Sequence, residues 1–203
     1  ISVVSTGSGA KNTLIGCLNF TWYDPKRKRT RYKQAGRGGI GTVFADKGVK
    51  AIVARWNLVT LSSNNPADKE ALKKVAKMHS REIVDLDPKQ NEMAKIGTTH
   101  LVPIMNDFDL LPTHNFRYGQ HPGGNLIGRD VYQHLFDPGF DGCWMGCTVA
   151  CAHGVRDFVP FTGPYKGQKV FVDGPEYETI AGCGSNVGIF DPFTILEINF
   201  YCD

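Results

Sequence analysis

The sequence predicts an α+β fold in which a strand-rich segment is followed by a mainly helical one. Three runs rich in β-branched and aromatic residues, ISVVSTG, LIGCLNFTWYD and KAIVARW, lie in residues 1 to about 57 and are separated by turns that contain glycine. Beyond this segment the apolar residues recur near helical spacing, as at Leu72, Val75 and Met78. We therefore place a boundary at about residues 58–65 and predict two domains, 1–60 and 61–203.

The second segment begins with a predicted helix whose N-cap is Asn65 and whose first position suits Pro66. Further helices are predicted at about 92–105, 129–136, 177–183 and 193–202, with an extended hairpin at 155–172. The chain starts without Met inside a strand-like run and stops inside the helical pattern LEINFYCD. We expect a fragment of a larger chain, or a subunit whose partner supplies the rest.

Composition indicates a globular protein, because 203 residues with 41% hydrophobic and 21% charged content can bury a core. No run of about 18 apolar residues indicates a membrane span, and no signal peptide is visible, so we predict a cytoplasmic protein. A net charge of +3 does not indicate nucleic-acid binding. The basic run PKRKRTRYK, at 25–33, is predicted to be a solvated loop or hairpin tip. Its alternative role is a docking patch for an acidic partner or nucleic acid.

Three of the six cysteines, Cys143, Cys147 and Cys151, follow one another at intervals of four in GCWMGCTVACAHG. Two interspersed glycines favour a loop, and disulfides between such close neighbours are geometrically awkward. Thiolates suit zinc or an iron–sulfur cluster, and both normally take four ligands. The alternative is three small buried residues on a helix. If a metal binds, the fourth ligand is Cys17, Cys183, Cys202 or a residue outside this chain.

Two further motifs carry candidate chemistry. Glu176 and Glu178 follow a Gly-Pro turn in VDGPEYETIAGCGSNVGI. One interpretation is that these carboxylates cap a helix or are solvated. The other is that one of them lies near a buried centre, where burial raises its pKa so that it can carry a proton. In AGRGGIGTVFADKGVKAIVA, a glycine-rich turn exposes backbone N–H groups and Arg37 to anions such as phosphate.

Together with TGSGAKNTLIGCLNF, LLPTHNFRYG and EINFYCD, these motifs resemble the aldehyde:ferredoxin oxidoreductase family in order and rough spacing. Members of that family are tungsten, occasionally molybdenum, enzymes with a bis-pterin cofactor. The resemblance covers nearly the whole chain. It implies that residues 1–60 are the end of a pterin-binding domain and that residues 61–203 are most of the helical middle domain. It also implies oxidation of an aldehyde to a carboxylic acid, with electrons passing through a [4Fe-4S] cluster to ferredoxin or another carrier subunit.

The resemblance also assigns site residues. Cys143, Cys147 and Cys151 match three cluster ligands, although their first spacing is CxxxC where the family has CxxC. The fourth ligand is expected in sequence beyond this chain. Glu176 matches a carboxylate that takes part in proton transfer near the metal. The turn expected to lie against the pterin consists of Arg37, Gly38 and Gly39.

Other positions receive weaker assignments from the same resemblance. Glu197 matches a position that binds a lone metal at the dimer interface in some members, and its alternative role is a solvated helix residue. His114 and Asn115 are expected to serve packing and turn capping. The remaining predictions are helix-packing roles for Cys183 and Cys202, and surface or hydrogen-bonded polar roles for His121, His134 and His153.

The chain lacks the Asp-x-x-Gly-Leu motifs that bind pterin in the family, so we expect it to be inactive alone. Expected partners are the aldehyde, the electron carrier, the remaining part of the enzyme and a second copy in a homo-oligomer, and the resemblance further allows a magnesium ion. Two alternatives stay open. One is a non-catalytic electron-transfer or zinc-stabilised module, and the other is a different tungsten reaction such as benzoyl-coenzyme A reduction.

Overall fold

The computed structural model describes residues 1–55, 66–139, 141–143 and 146–203. The predicted N-cap Asn65 lies outside these ranges. The chain divides into two compact units, Ile1–Lys69 and Glu70–Asp203. Mixed helices and antiparallel strands confirm the α+β prediction. The assignment of residues 1–60 and 61–203 to a pterin-binding and a middle domain stays a prediction.

The first unit is built on a four-stranded antiparallel sheet with the order β3-β2-β1-β4. Its strands are β1 (Ser2–Ser5), β2 (Leu18–Asp24), β3 (Arg29–Ala35) and β4 (Ala51–Ala54). Strands β2 and β3 form a hairpin that pairs Leu18 with Ala35 at one end and Asp24 with Arg29 at the other. Helix α1 (Ile40–Asp46) and a 3₁₀ helix (Ser8–Asn12) complete the described part of the unit.

The basic run 25–33 is not simply a solvated loop, because its second half forms β3 and two of its arginines are buried. Arg31 is 1% exposed, and its guanidinium lies 5.4 Å from the ring centroid of Trp22. The side chain of Arg27 is 3% exposed, and its Nη1 lies 2.9 Å from Asp24 Oδ2. Arg31 Nη1 lies 3.5 Å from the same oxygen. The prediction of a solvated run is therefore wrong for these two arginines, which are held inside the unit by a buried carboxylate.

The second unit is mainly helical. Its helices are α2 (Lys69–Gln90), α3 (Met93–Ile96), α4 (Leu101–Asp107), α5 (Arg129–Tyr132), α6 (Tyr177–Cys183) and α7 (Pro192–Cys202). Strands β5 (Gly154–Phe158) and β6 (Val170–Asp173) form the predicted antiparallel hairpin. Three 3₁₀ helices, Gly97–His100, Pro122–Ile127 and Ser185–Val187, connect these elements.

Three predicted helix bounds need correction. Helix α2 begins at Lys69 rather than at Pro66. The helix predicted at 92–105 is interrupted at Gly97, whose φ of 62° ends α3 before the 3₁₀ turn and α4 begin. The helix predicted at 129–136 ends at Tyr132. The predicted helices at 177–183 and about 193–202 are confirmed as α6 and α7.

The core of the second unit lies where α4, α6 and α7 pack with the β5–β6 hairpin. Its members are apolar side chains and the ring of Tyr132, all removed from solvent, and burial of such surface is the main stabilising contribution. The central residues of this core are Val102, Leu111, Ile127, Tyr132, Val172, Ile180, Ile195 and Leu196.

Within the described ranges, none of the helices combines the length and the apolar content that a bilayer crossing requires.

Candidate functional site

The predicted metal-binding cysteines lie on an irregular segment, residues 141–151, which we call the cysteine loop. Its described residues contain no helix, so the alternative of three buried helix residues is wrong. Cys143 is exposed, and Cys147 and Cys151 are half-buried. The two ends of the loop meet, because Asp141 and Cys151 form a parallel β-bridge. The carboxylate of Asp141 also accepts a hydrogen bond from Gly142 N at 2.9 Å.

The electrostatics of the cysteine loop connect it to Glu176. Burial raises the pKa of the Cys151 thiol, and the carboxylate of Glu176 and the thiols of Cys147 and Cys143 raise this pKa further. Glu176, Cys147 and Cys143 therefore lie close enough to Cys151 for their charges to act on it. Groups that all become negative repel one another when ionised, and a bound cation removes that repulsion. The arrangement favours a positively charged ligand.

The candidate donor set consists of three thiols, a ligand type that both zinc and iron–sulfur clusters take. In the parts of the chain that the structure describes, no three His, Cys, Asp or Glu side chains converge on one metal position. A [4Fe-4S] cluster does not need such convergence, because each thiolate binds a different iron. Burial and the neighbouring thiol of Cys202 raise the pKa of Cys183. The helix-packing role expected for Cys183 and Cys202 stays a prediction.

Glu176 is the N-cap residue of α6 and has an extended backbone, with φ −98° and ψ 168°. Its carbonyl accepts the first helical hydrogen bond, from Ile180 N at 3.0 Å. Its carboxylate does not cap the helix. The amide of Tyr177 instead donates to Oγ1 of Thr98 at 2.8 Å. A side chain that is distant in sequence thus accepts the first amide of α6.

The cysteine loop is supported from behind by Gly97. With φ +62°, this residue has a backbone conformation that favours glycine. A Cβ at position 97 would lie 2.8 Å from Cys151 O and 2.8 Å from Cδ2 of His153. The one sign of this contact in the sequence is a glycine inside a predicted helix.

His153 follows the cysteine loop and is 4% exposed, so it is a buried polar residue rather than a surface one. Its ring stacks on Phe136 with centroids 4.8 Å apart and planes at 17°. Its Nε2 lies 3.3 Å from Met93 O, a contact that joins the end of the loop to α3. The ring therefore fixes the chain directly after Cys151.

The glycine-rich turn of the first unit leads into α1, as its sequence predicts. Gly38 and Gly39 have φ values of 79° and 65°, which favour glycine. A Cβ on Gly39 would lie 2.3 Å from Leu14 O, so this glycine is also needed for packing inside the unit. Arg37 and Gly38 are exposed. The binding of a cofactor by Arg37, Gly38 and Gly39 stays a prediction.

Glu197 is buried rather than solvated, and the lone metal that the resemblance implies for it stays a prediction. It is 4% exposed, and its carboxylate accepts hydrogen bonds from Phe161 N at 2.7 Å and Thr162 N at 3.0 Å. The hydroxyl of Thr162 donates to the same carboxylate. Burial opposes ionisation, but these hydrogen bonds outweigh it and hold the pKa of Glu197 below its usual value. The residue ties the 161–162 segment to α7.

The LPTHNF motif forms an unusual turn. His114, Asn115 and Phe116 all have left-handed backbones, with φ values of 49°, 59° and 61°. The turn is docked on the 3₁₀ helix Ser185–Val187, where His114 N donates to Ser185 O at 3.0 Å. The amide of Phe116 donates to Oδ1 of Asn186 at 3.0 Å. Packing and hydrogen bonds at this turn agree with the structural role expected for His114 and Asn115.

Comparisons with known proteins agree with the resemblance. Residues 74–203 match the family model described as aldehyde ferredoxin oxidoreductase, domains 2 and 3. The chain is 30% identical over 173 residues to a tungsten-containing aldehyde ferredoxin oxidoreductase of Pyrococcus furiosus, a match that covers 85% of this chain and 26% of the relative. For the corresponding protein of Thermococcus kodakarensis the identity is 29% over 184 residues, with 85% and 26% covered.

A more distant relative carries another name. The chain is 26% identical over 173 residues to the WOR-like subunit of an aliphatic sulfonate oxidoreductase of Pyrococcus furiosus. That match covers 83% of this chain and 25% of the subunit. The chain thus spans about a quarter of the length of the curated relatives that it matches.

Proposed function

The chain belongs to the aldehyde ferredoxin oxidoreductase family, and on this premise we propose that it forms part of a tungsten- or molybdenum-pterin enzyme that oxidises an aldehyde to a carboxylic acid. The observation that carries the proposal is that Glu176, Cys147 and Cys143 all lie close enough to Cys151 to raise the pKa of its thiol, within the unit that matches the family model. One carboxylate beside three thiols combines a proton carrier with ligands for a redox centre.

Cys143, Cys147 and Cys151 would hold a [4Fe-4S] cluster together with a ligand supplied by another part of the protein. When bound, the pterin metal supplies two-electron chemistry and the cluster supplies one-electron transfer to ferredoxin or another carrier. The residues of this chain fix the cysteine loop. The Asp141–Cys151 bridge closes it, and Gly97 and His153 support its end.

Glu176 would hold and move the proton that aldehyde oxidation releases. Its position at the start of α6 suits this role, because α6 packs against the core helices α4 and α7 and gives the carboxylate a rigid base. Arg37, Gly38 and Gly39 would contact a phosphate or the ring of the pterin. We assign no metal to Glu197, because its carboxylate already accepts hydrogen bonds from Phe161 and Thr162.

The test compares Glu176→Gln with Glu178→Gln in the full-length protein from which this chain comes. We expect Glu176→Gln to lower kcat for aldehyde-dependent reduction of a viologen dye by about 10²-fold, because the proton carrier is lost. Iron and tungsten or molybdenum contents should not change. Glu178, in the first turn of the same helix, is the matched control and should retain activity. Equal activity of the two variants would remove the proton role of Glu176.

A second reaction is favoured by one observation. One relative is the WOR-like subunit of an aliphatic sulfonate oxidoreductase. The second candidate substrate is therefore an aliphatic sulfonate. Assays with a short aldehyde and an aliphatic sulfonate, each with the same dye, decide between the two. If the dye is reduced only when the sulfonate is present, an aliphatic sulfonate replaces the aldehyde as the proposed substrate. The role proposed for the cysteine loop is then unchanged. Benzoyl-coenzyme A accepts electrons instead of donating them, so it is tested in the reverse assay, as the oxidant of a pre-reduced viologen dye.

A further inference from the structure

Helix α2 lies against the cysteine loop at the surface of the second unit. The hydroxyl groups of Ser80, on α2, and Thr148, on the loop, form a hydrogen bond with their oxygens 3.2 Å apart. Thr148 follows Cys147 directly in the sequence. On the same loop, the side chains of Cys143 and Val149 are exposed. The proposed cluster ligands therefore reach the surface next to α2.

The side of α2 that neighbours Ser80 is strongly basic. Lys73, Lys74, Lys77 and Arg81 follow one another at the three- and four-residue intervals that place side chains on one side of a helix. All four are exposed, and we call them the basic face. Lys74 and Lys77 lie at its centre. Because Arg81 directly follows Ser80, the basic face extends to the point where α2 contacts the cysteine loop.

Little of this positive charge is neutralised within the unit. Lys73 Nζ lies 2.9 Å from Glu70 Oε1, and Arg81 Nε lies 3.8 Å from Asp85 Oδ2. These two pairs lie at the ends of the basic face and are mostly exposed, so water and salt weaken them. In the ranges that the structure describes, neither of the two central lysines pairs with a carboxylate. The centre of the basic face therefore retains its charge.

The basic face suits an acidic protein that exchanges electrons with the cysteine loop. Complementary charges steer two proteins toward each other, and a redox partner must also come close to the centre that it oxidises. The exposed apolar residues Leu72, Val75 and Ile83 lie on another side of α2. A segment that covered this apolar side would leave the basic face open to a partner.

We propose that the basic face of α2 is the docking surface for an acidic electron-carrier protein, which takes its electrons from the centre held by the cysteine loop. The inference rests on the proposed function, because it gives the carrier of that reaction a place on the protein. Oxidation of one aldehyde by water to the carboxylic acid releases two electrons and two protons. Each carrier accepts one electron and leaves, so two carriers dock in turn, and no bond forms between the proteins.

Charge reversal at the centre of the basic face tests the proposal in the full-length protein. Lys74→Glu/Lys77→Glu should raise the KM for an acidic [4Fe-4S] ferredoxin about tenfold, because like charges replace complementary ones. The kcat for reduction of a viologen dye should not change, since a small dye needs no docking surface. Salt at about 0.5 M should remove most of the difference in KM, because it screens exposed charges.

Lys166→Glu/Lys169→Glu is the matched control, because it makes the same change of charge on the same unit. Both lysines are exposed and lie between β5 and β6. They follow Phe158 and precede Val170, which pair at the end of the hairpin opposite to Gly154 and the cysteine loop. The control should keep the KM for ferredoxin within about twofold of the parent value.

Direct binding of oxidised ferredoxin supplies a readout that needs no turnover. We expect the Kd to rise about tenfold in Lys74→Glu/Lys77→Glu and to stay unchanged in the control variant. Failure of the proposed function looks different, because the parent protein would then not reduce the dye with an aldehyde. In that case the comparison of Kd values still decides whether the basic face docks an acidic redox protein.

Two results would overturn the inference. One is a KM and a Kd for ferredoxin that are equal in Lys74→Glu/Lys77→Glu and the parent protein. The other is an equal loss in the control variant, which would mean that only the total charge of the protein matters. If a labelled DNA duplex binds the parent but not Lys74→Glu/Lys77→Glu, and the ferredoxin kinetics do not change, the basic face is a nucleic-acid surface instead.

Discussion

The two units of the chain differ in which ionisable groups they place close together. In the first unit, Asp24 lies between Arg27 and Arg31, and we call these three residues the Asp24 cluster. In the second unit, Glu176 lies near Cys143, Cys147 and Cys151, which we call the cysteine site. The Asp24 cluster combines charges of opposite sign. The cysteine site gathers groups that become negative when they ionise.

The pKa values record this difference. Burial opposes ionisation of Asp24, but hydrogen bonds from the side chain and backbone of Arg27 outweigh it and lower the pKa. At the cysteine site, burial and the neighbouring charges act in the same direction and raise the pKa of Cys151. Opposite charges that lie together stabilise each other, whereas clustered like charges are typical of sites that bind a cation or carry out chemistry. The comparison assigns the first a structural role and supports the functional role proposed for the second.

The largest effect is expected from breaking the cysteine site. Cys151→Ala in the full-length protein removes one of the proposed cluster ligands, and we expect the purified variant to lose most of its iron and acid-labile sulfide. Cys183→Ala is the control, since the thiol that neighbours Cys183 is that of Cys202 and the residue lies outside the proposed ligand set. Metal and sulfide analysis measures both. Full iron content in Cys151→Ala would contradict the assignment.

The next effect is expected from the Asp24 cluster. Asp24→Asn keeps the shape but leaves two buried guanidinium groups without their carboxylate, and we expect it to lower the free energy of unfolding by about 3 kcal/mol. Urea unfolding followed by tryptophan fluorescence measures this change. Asp46→Asn, at the exposed end of α1, should change the free energy by no more than about 0.5 kcal/mol.

The same variant has a pH signature. Because the pKa of Asp24 is lowered in the folded protein from its usual 3.8, its contribution to stability is complete above that value. The contribution is lost as the pH falls below it and through the folded pKa. The parent protein should therefore lose stability more steeply than Asp24→Asn on acidification below about pH 4. Parallel curves for the two proteins would show that the cluster does not stabilise the fold.

The smallest effect is expected at Glu197, whose buried carboxylate, like Asp24, is satisfied by protein groups. Glu197→Gln replaces a charged acceptor of the Phe161 and Thr162 amides by a neutral one, and we expect a loss of about 1–2 kcal/mol. The loss should be the same with and without a metal chelator. If the parent protein holds a metal that Glu197→Gln lacks, then Glu197 binds a metal, as proposed for the residues of the cysteine site.

Local signals in the sequence were sufficient for much of the fold. The extended hairpin predicted at 155–172 was found as β5 and β6, and the helix predicted at about 193–202 was found as α7. Asp191 caps that helix through Thr194 N at 2.7 Å, as its residue type favours. Such signals lie within a few residues of the element they define, so they can be read without knowledge of the rest of the chain.

The sequence by itself determined the division into a strand-rich and a mainly helical part, the spacing of Cys143, Cys147 and Cys151, and the motifs that led to the family. Only the tertiary structure decided that Arg27 and Arg31 surround a buried carboxylate, and that Glu197 caps a distant segment. It alone also joined Thr98 to Tyr177. The physical reason is that a residue type fixes which bonds a side chain can make, whereas the partner of each bond depends on which distant residues the fold brings within reach.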